Sequence, residues 1–195
     1  MILTKRIADV LRRMSQVKAE VLLDNGVIHV KSYGNQVYVK SNFEIEIERP
    51  QYIDDIQGML KMVDVGSEVS CHEEDGLMRG DSPKSVMDLT KEGIDYSFTI
   101  NKGIVDSIIG TDSVLIKSDG SELSFWTKIG NDDYVKLVGV KKDFDSFSAF
   151  IEVRNIKHLE RSKTLVQICH KGAVQFTSAN ITTIVALESN SAFNA

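Results

Sequence analysis

The sequence predicts an α+β fold of two tandem, similar domains, in each of which two helices pack on antiparallel sheets. Two observations support this prediction. Residues 3–11 recur as residues 100–108, an offset of 97 in a chain of 195, with Lys, Ile and Asp identical at three of the nine positions. Each helix-like segment is also followed by apolar strands and a glycine turn. An internal repeat of this kind indicates a duplicated structural unit.

The first helix is predicted to begin after Thr4, because threonine is favoured at helix N-caps. Apolar residues follow at the i, i+3, i+4, i+7 spacing that forms one buried stripe, and basic residues occupy the opposite face. The stripe comprises Ile7, Val10, Leu11 and Met14.

Strands and a second helix complete the first domain. Turn residues at 24–26 and 34–35 separate β-rich segments, and residues 43–48 alternate apolar and acidic side chains as a half-buried strand does. Pro50 is expected to open the second helix, because proline is favoured at the first helical position. Strands are expected again at residues 67–78. The apolar stripe of the second helix comprises Ile53, Ile56, Leu60 and Val63.

The second domain is predicted to repeat this order. A helix is expected over residues 101–109, followed by a strand at 114–116 and a turn at Asp119 and Gly120. A short fourth helix then leads into strands at 164–169 and 173–177. The apolar stripe of the fourth helix comprises Val153, Ile156 and Leu159.

The boundary between the domains is expected at residues 81–93, a polar connector with the second proline of the chain, a glycine and several charges. The predicted domains cover residues 1–88 and 94–195, near the usual size of ~100 residues. The hydrophobic content of 42% is ordinary for a globular protein. No segment reaches the ~18 apolar residues of a membrane-spanning helix, so no membrane partner is expected.

Charge is distributed unevenly along the chain. The net charge is −5, yet residues 4–16 and residues 153–163 each carry +3, so everything else sums to −11. A basic face on one helix alone is commonly no more than solvated. Two such segments favour a polyanionic partner, because duplex DNA carries about one negative charge per 1.7 Å.

Neither basic segment contains an aromatic residue. Proteins that bind single strands stack bases on aromatic side chains, and sequence-specific readers present polar side chains from a helix in the major groove. Contact with the duplex backbone, without sequence reading, is therefore predicted. The predicted DNA-facing residues are Lys5, Arg6, Arg12, Arg13, Lys61, Lys102, Arg154, Lys157 and Arg161.

The sequence contains no arrangement typical of an enzyme or a cofactor site. There is no phosphate-binding glycine loop with lysine and no nucleophile elbow. The four histidines show no zinc-ligand spacing, and the two Cys-His pairs fall at equivalent places of two different domains. We therefore expect no catalytic residue, no metal and no cofactor. Acidic pairs, in predicted helix starts or turns where solvated carboxylates are common, are Asp54-Asp55, Glu73-Glu74 and Asp132-Asp133.

Two segments near the end of the chain carry a resemblance to a known family. Residues 171–176 (Lys-Gly-Ala-Val-Gln-Phe) and 185–189 (Val-Ala-Leu-Glu-Ser) resemble the last hairpin and the final strand of the sliding clamps of T-even-type bacteriophages. These clamps are the processivity factors of the phage replicative DNA polymerases. The opening helix is also similar, with Lys5 and Arg12 where that family carries basic residues, and the likeness runs from end to end.

The resemblance implies a DNA-clamp fold and a homotrimer. Three two-domain subunits would close a ring, with helices facing duplex DNA and sheets forming the outer wall. It also implies loading by an ATP-driven clamp loader, tethering of the replicative DNA polymerase through a short peptide in an apolar pocket, and a location in the cytoplasm of the infected host cell. The connector is shorter than in the family and lacks its aromatic and proline-rich stretch, which leaves Val86, Met87 and Leu89 as the candidates for that pocket.

Two other classes of function fit the same sequence. A viral structural or assembly protein of two tandem β-rich domains would use the basic helices to bind an acidic partner chain and would stimulate no polymerase. A hydrolase would require acidic side chains that converge in space.

Overall fold

The polypeptide divides into two structural units, each with its own hydrophobic core. The structure is a computed structural model and describes residues 1–34, 36–44, 49–73, 93–142 and 144–193. The first unit comprises Met1–Val86 with Asn180–Thr183, and the second comprises Met87–Ala179 with Ile184–Ala195. The predicted connector lies outside the described residues except for Gly93.

The regular elements are three helices, one 3-10 turn and fourteen strands within the described residues. In chain order they are α1 (Lys5–Met14), β1 (Val21–Asp24), β2 (Val27–Lys31), β3 (Val37–Asn42), β4 (Gln51–Ile53), α2 (Ile56–Met62), β5 (His72–Glu73), β6 (Tyr96–Ile100), α3 (Lys102–Ile109), β7 (Ser113–Ser118), β8 (Glu122–Lys128), β9 (Val135–Lys141), β10 (Phe147–Glu152), the 3-10 turn (Val153–Asn155), β11 (Thr164–Cys169), β12 (Ala173–Thr177), β13 (Thr182–Ala186) and β14 (Ala192–Phe193).

The first unit is an antiparallel sheet with two helices packed on one side. The strand order is β5-β4-β1-β2-β3, and α1 packs against α2. Strands β1 and β2 form a two-residue hairpin in which Asn25 and Gly26 both have positive φ, 46° and 78°, as a type I′ turn requires. The core includes Leu11 from α1 together with Leu23 and Ile28 from the hairpin.

The second unit contains two antiparallel arrays of strands. One has the order β14-β10-β7-β8-β9, and in the other β11 lies between β12 and β6. Its core includes Phe98, Phe125 and Phe176, and the first two rings meet edge to face at 5.9 Å between centroids. Buried and more exposed residues alternate along β6 and most of β7, so one face of each strand is buried. The core that these faces share also contains Val105 and Ile108 of α3.

The two units repeat the same topology, as the internal repeat predicts. The order β4-β1-β2-β3 of the first unit matches β10-β7-β8-β9 of the second. The bridge between Ile2 and Glu68 corresponds, at an offset of 97 for both residues, to the Thr99–Leu165 pair between β6 and β11. The α+β fold of two tandem similar domains is thus confirmed.

The prediction that Pro50 opens the second helix is wrong. Residues 51–53 form strand β4, which pairs with β1, and α2 begins at Ile56 behind the N-cap Asp55. The Asp55 carboxylate accepts a hydrogen bond from the Gly58 N–H at 2.9 Å. The cap and strand pairing therefore override the preference of proline for a helix start.

The fourth helix is shorter than predicted. It is one 3-10 turn, Val153–Asn155, continued by single hydrogen bonds from Ile156 N to Val153 O at 2.9 Å and from Leu159 N to Ile156 O at 3.0 Å. Residues 153, 156 and 159 are spaced by three, the period of a 3-10 helix, whereas an α-helix requires 3.6 residues per turn. All three side chains are buried, so the stripe was identified correctly and the helix type was not.

Two strand predictions fall only partly within the described residues. Phe43 and Glu44 follow β3 without strand pairing, and residues 45–48 lie outside the described residues. Within the segment 67–78, Glu68 forms an isolated bridge and β5 spans two residues, while residues 74–78 lie outside the described part of the chain. The predicted strands 164–169 and 173–177 are confirmed at both ends.

Candidate nucleic-acid interface

Helix α1 presents one buried and one charged face. Its N-cap is Thr4, whose Oγ1 accepts a hydrogen bond from the Ile7 N–H at 3.2 Å. The apolar stripe packs into the core of the first unit, which fixes the rotation of the helix about its axis. The charged face is therefore exposed. Its members are Lys5, Arg6, Asp9, Arg12 and Arg13, of which Arg13 is half-buried.

Two arginines of this face are held by neighbouring groups. Arg12 Nη1 lies 2.7 Å from Asp9 Oδ1, and both side chains are more than half exposed. The Arg6 guanidinium lies 4.9 Å from the centroid of the Phe43 ring and donates a weak hydrogen bond of 3.4 Å to the Asn42 carbonyl. Exposed contacts of this type contribute roughly 0–1 kcal/mol, so a phosphate can replace them at little cost.

Lys5 and Lys102 occupy equivalent places in the two units. Each is the first residue of its helix, directly after an N-cap, Thr4 in α1 and Asn101 in α3, and each is exposed. Within the described residues neither lysine has an ion-pair partner, and neither helix has an acidic residue in its first turn. A cation at the positive end of the helix dipole does not stabilise the helix. These two lysines therefore add positive potential at the surface but do not stabilise the helices that carry them.

In the second unit, the basic segment contacts α3. Arg161 Nε lies 3.6 Å from Asp106 Oδ1 on α3, and Arg154 pairs with Glu152 at the end of β10. Lys157 is exposed and has no ion-pair partner in the described part of the chain. His158, next to it, is 2% exposed and therefore does not contribute to the exposed basic face.

A half-buried carboxyl, that of Glu188, lies close to this segment. Burial, and then the charge of Glu152, raise the pKa of Glu188, while Arg154 acts in the opposite direction. Glu152 and Arg154 thus hold their ion pair next to a second carboxylate, which reduces the positive potential around Arg154.

Lys61 completes the candidate set in the first unit. It lies in the last turn of α2, where a cation interacts favourably with the helix dipole, and it is exposed without an ion-pair partner among the described residues.

The structure thus places the nine candidates in two groups, one in each unit. Lys5, Lys61, Lys102 and Lys157 are exposed and have no ion-pair partner within the described ranges. Arg12, Arg154 and Arg161 are each paired with a carboxylate. The peptide-pocket candidates Val86, Met87 and Leu89 lie outside the described residues.

Sequence reasoning did not find two features of the basic residues in the structure. The Arg161–Asp106 pair joins residues far apart in the chain, so no local spacing indicates it. Lys18 and Lys31 are buried, at 8% and 7% exposure, although lysine is ordinarily a surface residue. The signal in the sequence that could have indicated this burial is the position of both lysines on or near strands with apolar neighbours.

The arrangement can bind phosphates but does not show a stacking or catalytic geometry. The exposed lysines are point charges without aromatic side chains on the same helices. No group of three or more His, Cys, Asp or Glu side chains suited to a metal occurs among the described residues. No helix in the same residues is long and apolar enough to cross a membrane.

The sequence matches no known family model and no characterised protein sequence. The structure is similar to the PCNA2–PCNA3 complex from Sulfolobus tokodaii, with a TM-score of 0.62 and 10% identity over 94% of this chain and 96% of that chain. It is similar to A. fulgidus PCNA bound to the C-terminal region of FEN-1, with a TM-score of 0.65 and 13% identity over 97% and 98%. It is also similar to the DNA polymerase III beta subunit from Thermotoga maritima, with a TM-score of 0.66 and 12% identity over 99% of this chain and 65% of that chain.

These likenesses identify the architecture as the sliding-clamp fold. The DNA-clamp fold that the sequence resemblance implied is therefore confirmed. The chain spans about the full length of the two PCNA chains and 65% of the beta subunit.

Proposed function

We propose that this chain is a subunit of a ring-shaped sliding clamp that encircles duplex DNA and tethers a replicative DNA polymerase, without sequence specificity and without catalysis. Three copies form the ring. The protein acts in bacteriophage DNA replication in the cytoplasm of the infected host cell, where an ATP-driven clamp loader places it on DNA.

The observation that carries this proposal is the pair of equivalent lysines at the start of α1 and α3. Lys5 and Lys102 are exposed, have no ion-pair partner among the described residues, and do not stabilise their helices. Duplication has kept both. A contact with the DNA backbone explains this position, because each neutralised phosphate releases a counterion and strengthens binding without reading bases.

A ring also accounts for the open edge of the second unit. Strand β9 is the last strand of its sheet and exposes Val135, Leu137 and Val140, by 66%, 38% and 46%. An unpaired edge with exposed apolar side chains promotes association with another chain. Pairing of this edge with the next copy in a closed, cyclic oligomer covers it without creating open filaments.

Structural neighbours support a peptide-tethered partner. The A. fulgidus PCNA structure contains the C-terminal region of FEN-1, and a Helicobacter pylori beta clamp of 12% identity contains a DNA ligase peptide. By analogy, a short peptide of the polymerase binds this chain. The resemblance of residues 171–176 and 185–189 to phage clamps favours a phage polymerase as that partner.

The test measures retention on linear duplex DNA whose two ends are either free or blocked by a bulky protein. The DNA is incubated with the clamp under crowding conditions and then washed. A closed ring remains on blocked DNA and slides off free ends, whereas a protein bound by contact alone leaves both at the same rate. The double variant Lys5→Glu/Lys102→Glu should reduce the amount of protein captured on blocked DNA by about tenfold or more, because the first contact with the duplex depends on neutralised phosphates.

The matched control is Lys117→Glu, an exposed lysine of β7 on the sheet face opposite the core of its unit. It should leave retention within about twofold, whereas Lys5→Glu alone, which changes the net charge by the same amount, should reduce retention, since only Lys5 lies on a helix proposed to face DNA. Equal loss in both variants would contradict a specific DNA-facing role. Stable rings with no retention on blocked DNA would instead favour the structural or assembly class of protein.

A further inference from the structure

The five-stranded sheet of the second unit carries a row of apolar side chains on its outer face. In an antiparallel sheet the face away from the core is ordinarily polar. The register places Phe150 of β10 beside Leu115 of β7, and Leu115 beside Trp126 of β8. The chain neighbours Ile116 and Phe125 are buried in the core. Because side chains alternate along a strand, the apolar row, Phe150, Leu115 and Trp126, points away from that core.

The apolar row is continued by Tyr134, whose ring meets the Phe150 ring edge to face at 5.8 Å between centroids. The indole N–H of Trp126 donates to Ser124 Oγ at 2.9 Å, so its polar atom is satisfied within the sheet. The row and Tyr134 are half-buried, which leaves part of each side chain in contact with solvent. Partly exposed tryptophan and tyrosine side chains are typical of surfaces that bind other proteins.

Lysines flank the apolar row on both sides. Lys117 lies two residues from Leu115 on β7, and Lys128 lies two residues from Trp126 on β8. The two lysines lie on opposite sides of the row, because Lys117 pairs in register with Ser124, whereas Lys128 pairs with Ser113. Two residues of a strand span roughly 7 Å, so each lysine lies about that far from the row along the strand direction.

The net charge of this face is positive. Glu122 Oε2 is engaged by Lys136 Nζ at 2.5 Å, whereas the other lysines of this face have no ion-pair partner among the described residues. Four lysines and one glutamate give a net charge of +3, which attracts an acidic partner. The charged residues that β7, β8 and β9 direct to this face are Lys117, Lys128, Lys136, Lys141 and Glu122.

Two features favour an acidic peptide over a single-stranded nucleic acid. Bases stack on the open faces of aromatic rings, whereas the rings of Tyr134 and Phe150 are inclined to each other by 73°. Glu188 also lies beside these rings. Its N–H donates to the Phe150 carbonyl at 3.0 Å, and its charge, after the larger effect of burial, raises the pKa of Tyr134. A carboxylate at this end of the row would repel a continuous phosphate backbone.

We propose that the apolar row and its flanking lysines bind a short, extended, acidic segment of a partner protein. One apolar side chain of the segment contacts Leu115 and Trp126, and carboxylates two residues before and after it pair with Lys117 and Lys128. The spacing agrees, because two residues of an extended peptide also span roughly 7 Å. The inference goes beyond DNA binding and does not depend on it. Pairing of the β9 edge with another copy would extend the sheet in its plane and leave this face open.

Intrinsic fluorescence of the full-length protein tests the proposal, because Trp126 is the only tryptophan of the chain. The probe is a blocked peptide, Ser-Glu-Gly-Leu-Gly-Glu-Ser, added at constant ionic strength. Its emission change should saturate at millimolar concentration or below. Replacing both glutamates of the peptide by lysine should weaken the apparent affinity by about tenfold or more, because attraction becomes repulsion. Replacing its leucine by serine should also weaken it about tenfold, because the buried apolar contact is lost.

In the protein, Lys128→Glu should weaken the apparent affinity for the glutamate peptide by about tenfold, because it places a like charge beside the bound carboxylate. The matched control is Lys163→Glu, an exposed lysine directly before β11, which changes the net charge equally and should stay within about twofold. The decisive titrations use the unmodified protein, so a folding defect in Lys128→Glu does not affect them.

Three results would overturn the proposal. These are an emission that does not saturate with the glutamate peptide at millimolar concentration, equal affinities for the glutamate and lysine peptides, and saturation by single-stranded oligothymidine at a lower concentration than by the glutamate peptide. The DNA-retention test contains no peptide, so failure of this proposal is distinguishable from failure of the clamp function.

Discussion

At Thr4 and Asn101 the same local interaction begins two helices. Thr4 Oγ1 accepts from the Ile7 N–H at 3.2 Å, and Asn101 Oδ1 accepts from the Ile104 N–H at 3.0 Å. In both cases a side chain satisfies one of the N–H groups that a helix N-terminus leaves without a partner. The two caps are an offset of 97 apart, so the repeat was preserved at the level of a single hydrogen bond.

We predict that Thr4→Ala and Asn101→Ala each lower the free energy of unfolding by about 1 kcal/mol, the usual cost of losing a cap. Urea denaturation measures the change. Thr4→Ser keeps the accepting oxygen and should stay close to the unmodified protein. Loss of stability in Thr4→Ser as large as in Thr4→Ala would show that the methyl group, rather than the hydrogen bond, matters.

A second residue-level prediction concerns pH. Asp119 accepts hydrogen bonds from the N–H groups of Ser121 at 3.0 Å and Glu122 at 2.9 Å, which lower its pKa from 3.8 to about 2. A carboxyl with a lowered pKa in the folded state stabilises the fold above its unfolded pKa, and this contribution is lost as pH falls from 3.8 towards about 2.

Asp119→Asn keeps an accepting oxygen but does not titrate. The free energy of unfolding, measured by denaturation between pH 5 and about 2, should therefore fall less steeply with decreasing pH in this variant than in the unmodified protein. The side chain is fully exposed, so the expected difference is small. An equal slope in both proteins would be evidence against the lowered pKa.

At the level of elements, the sequence predicts those helices and strands whose local signals agree with their tertiary contacts. The Asn25-Gly26 hairpin and the strands 164–169 and 173–177 were predictable, because turn chemistry and alternation both point to them. The helix at Pro50 was not, because the pairing of β4 with β1 is a tertiary contact that local propensity does not contain.

For the candidate interface, too, the sequence predicts local features but not contacts between elements far apart in the chain. Exposure of Lys5, Lys61, Lys102 and Lys157 follows from their places opposite or beyond apolar stripes, which the sequence shows. The pairing of Arg161 with Asp106 depends on two elements meeting in space. The exposure of these four lysines was therefore predictable, whereas the pairing of Arg161 and the burial of Lys18 and Lys31 were not.

In helix α2, the N-cap Asp55 and the glycine Gly58 are expected to have coupled effects on stability. Gly58 lies inside the helix, where alanine is normally more stable by about 1 kcal/mol. A Cβ at this position would collide with the Asp55 carboxylate that caps the helix. Gly58→Ala should therefore not stabilise the protein, because the gain in helix propensity is offset by displacement of the cap.

In an Asp55→Ala background, the same Gly58→Ala change should stabilise by about 1 kcal/mol, since no cap remains to be displaced. Thermal or urea denaturation of the two single variants and the double variant measures this coupling. Additive effects of the two substitutions would rule out the proposed clash.

At the level of the whole molecule, duplication kept the fold of the two units but not their charge. The face of α1 carries an excess of basic groups, whereas α3 has Lys102 and Asp106. Asp106 is engaged by Arg161, so Lys102 remains available although its helix is neutral. The proposed DNA contact thus includes α3 as well as α1 and the 153–161 segment, which a count of charges alone does not indicate.

The last prediction concerns assembly. If the open edge at β9 pairs with another copy, light scattering of the unmodified protein should give about 65 kDa, three times the chain mass of 21.7 kDa. Val135→Lys/Val140→Lys places charges on that edge and should shift the mass towards a single chain, because charged edge residues oppose strand pairing. Met62→Lys is the matched control, since Met62 is 82% exposed on α2 and lies outside the sheet. A single-chain mass for the unmodified protein at micromolar concentration, or a trimer in the double variant, would argue against β9 as the contact through which the ring closes.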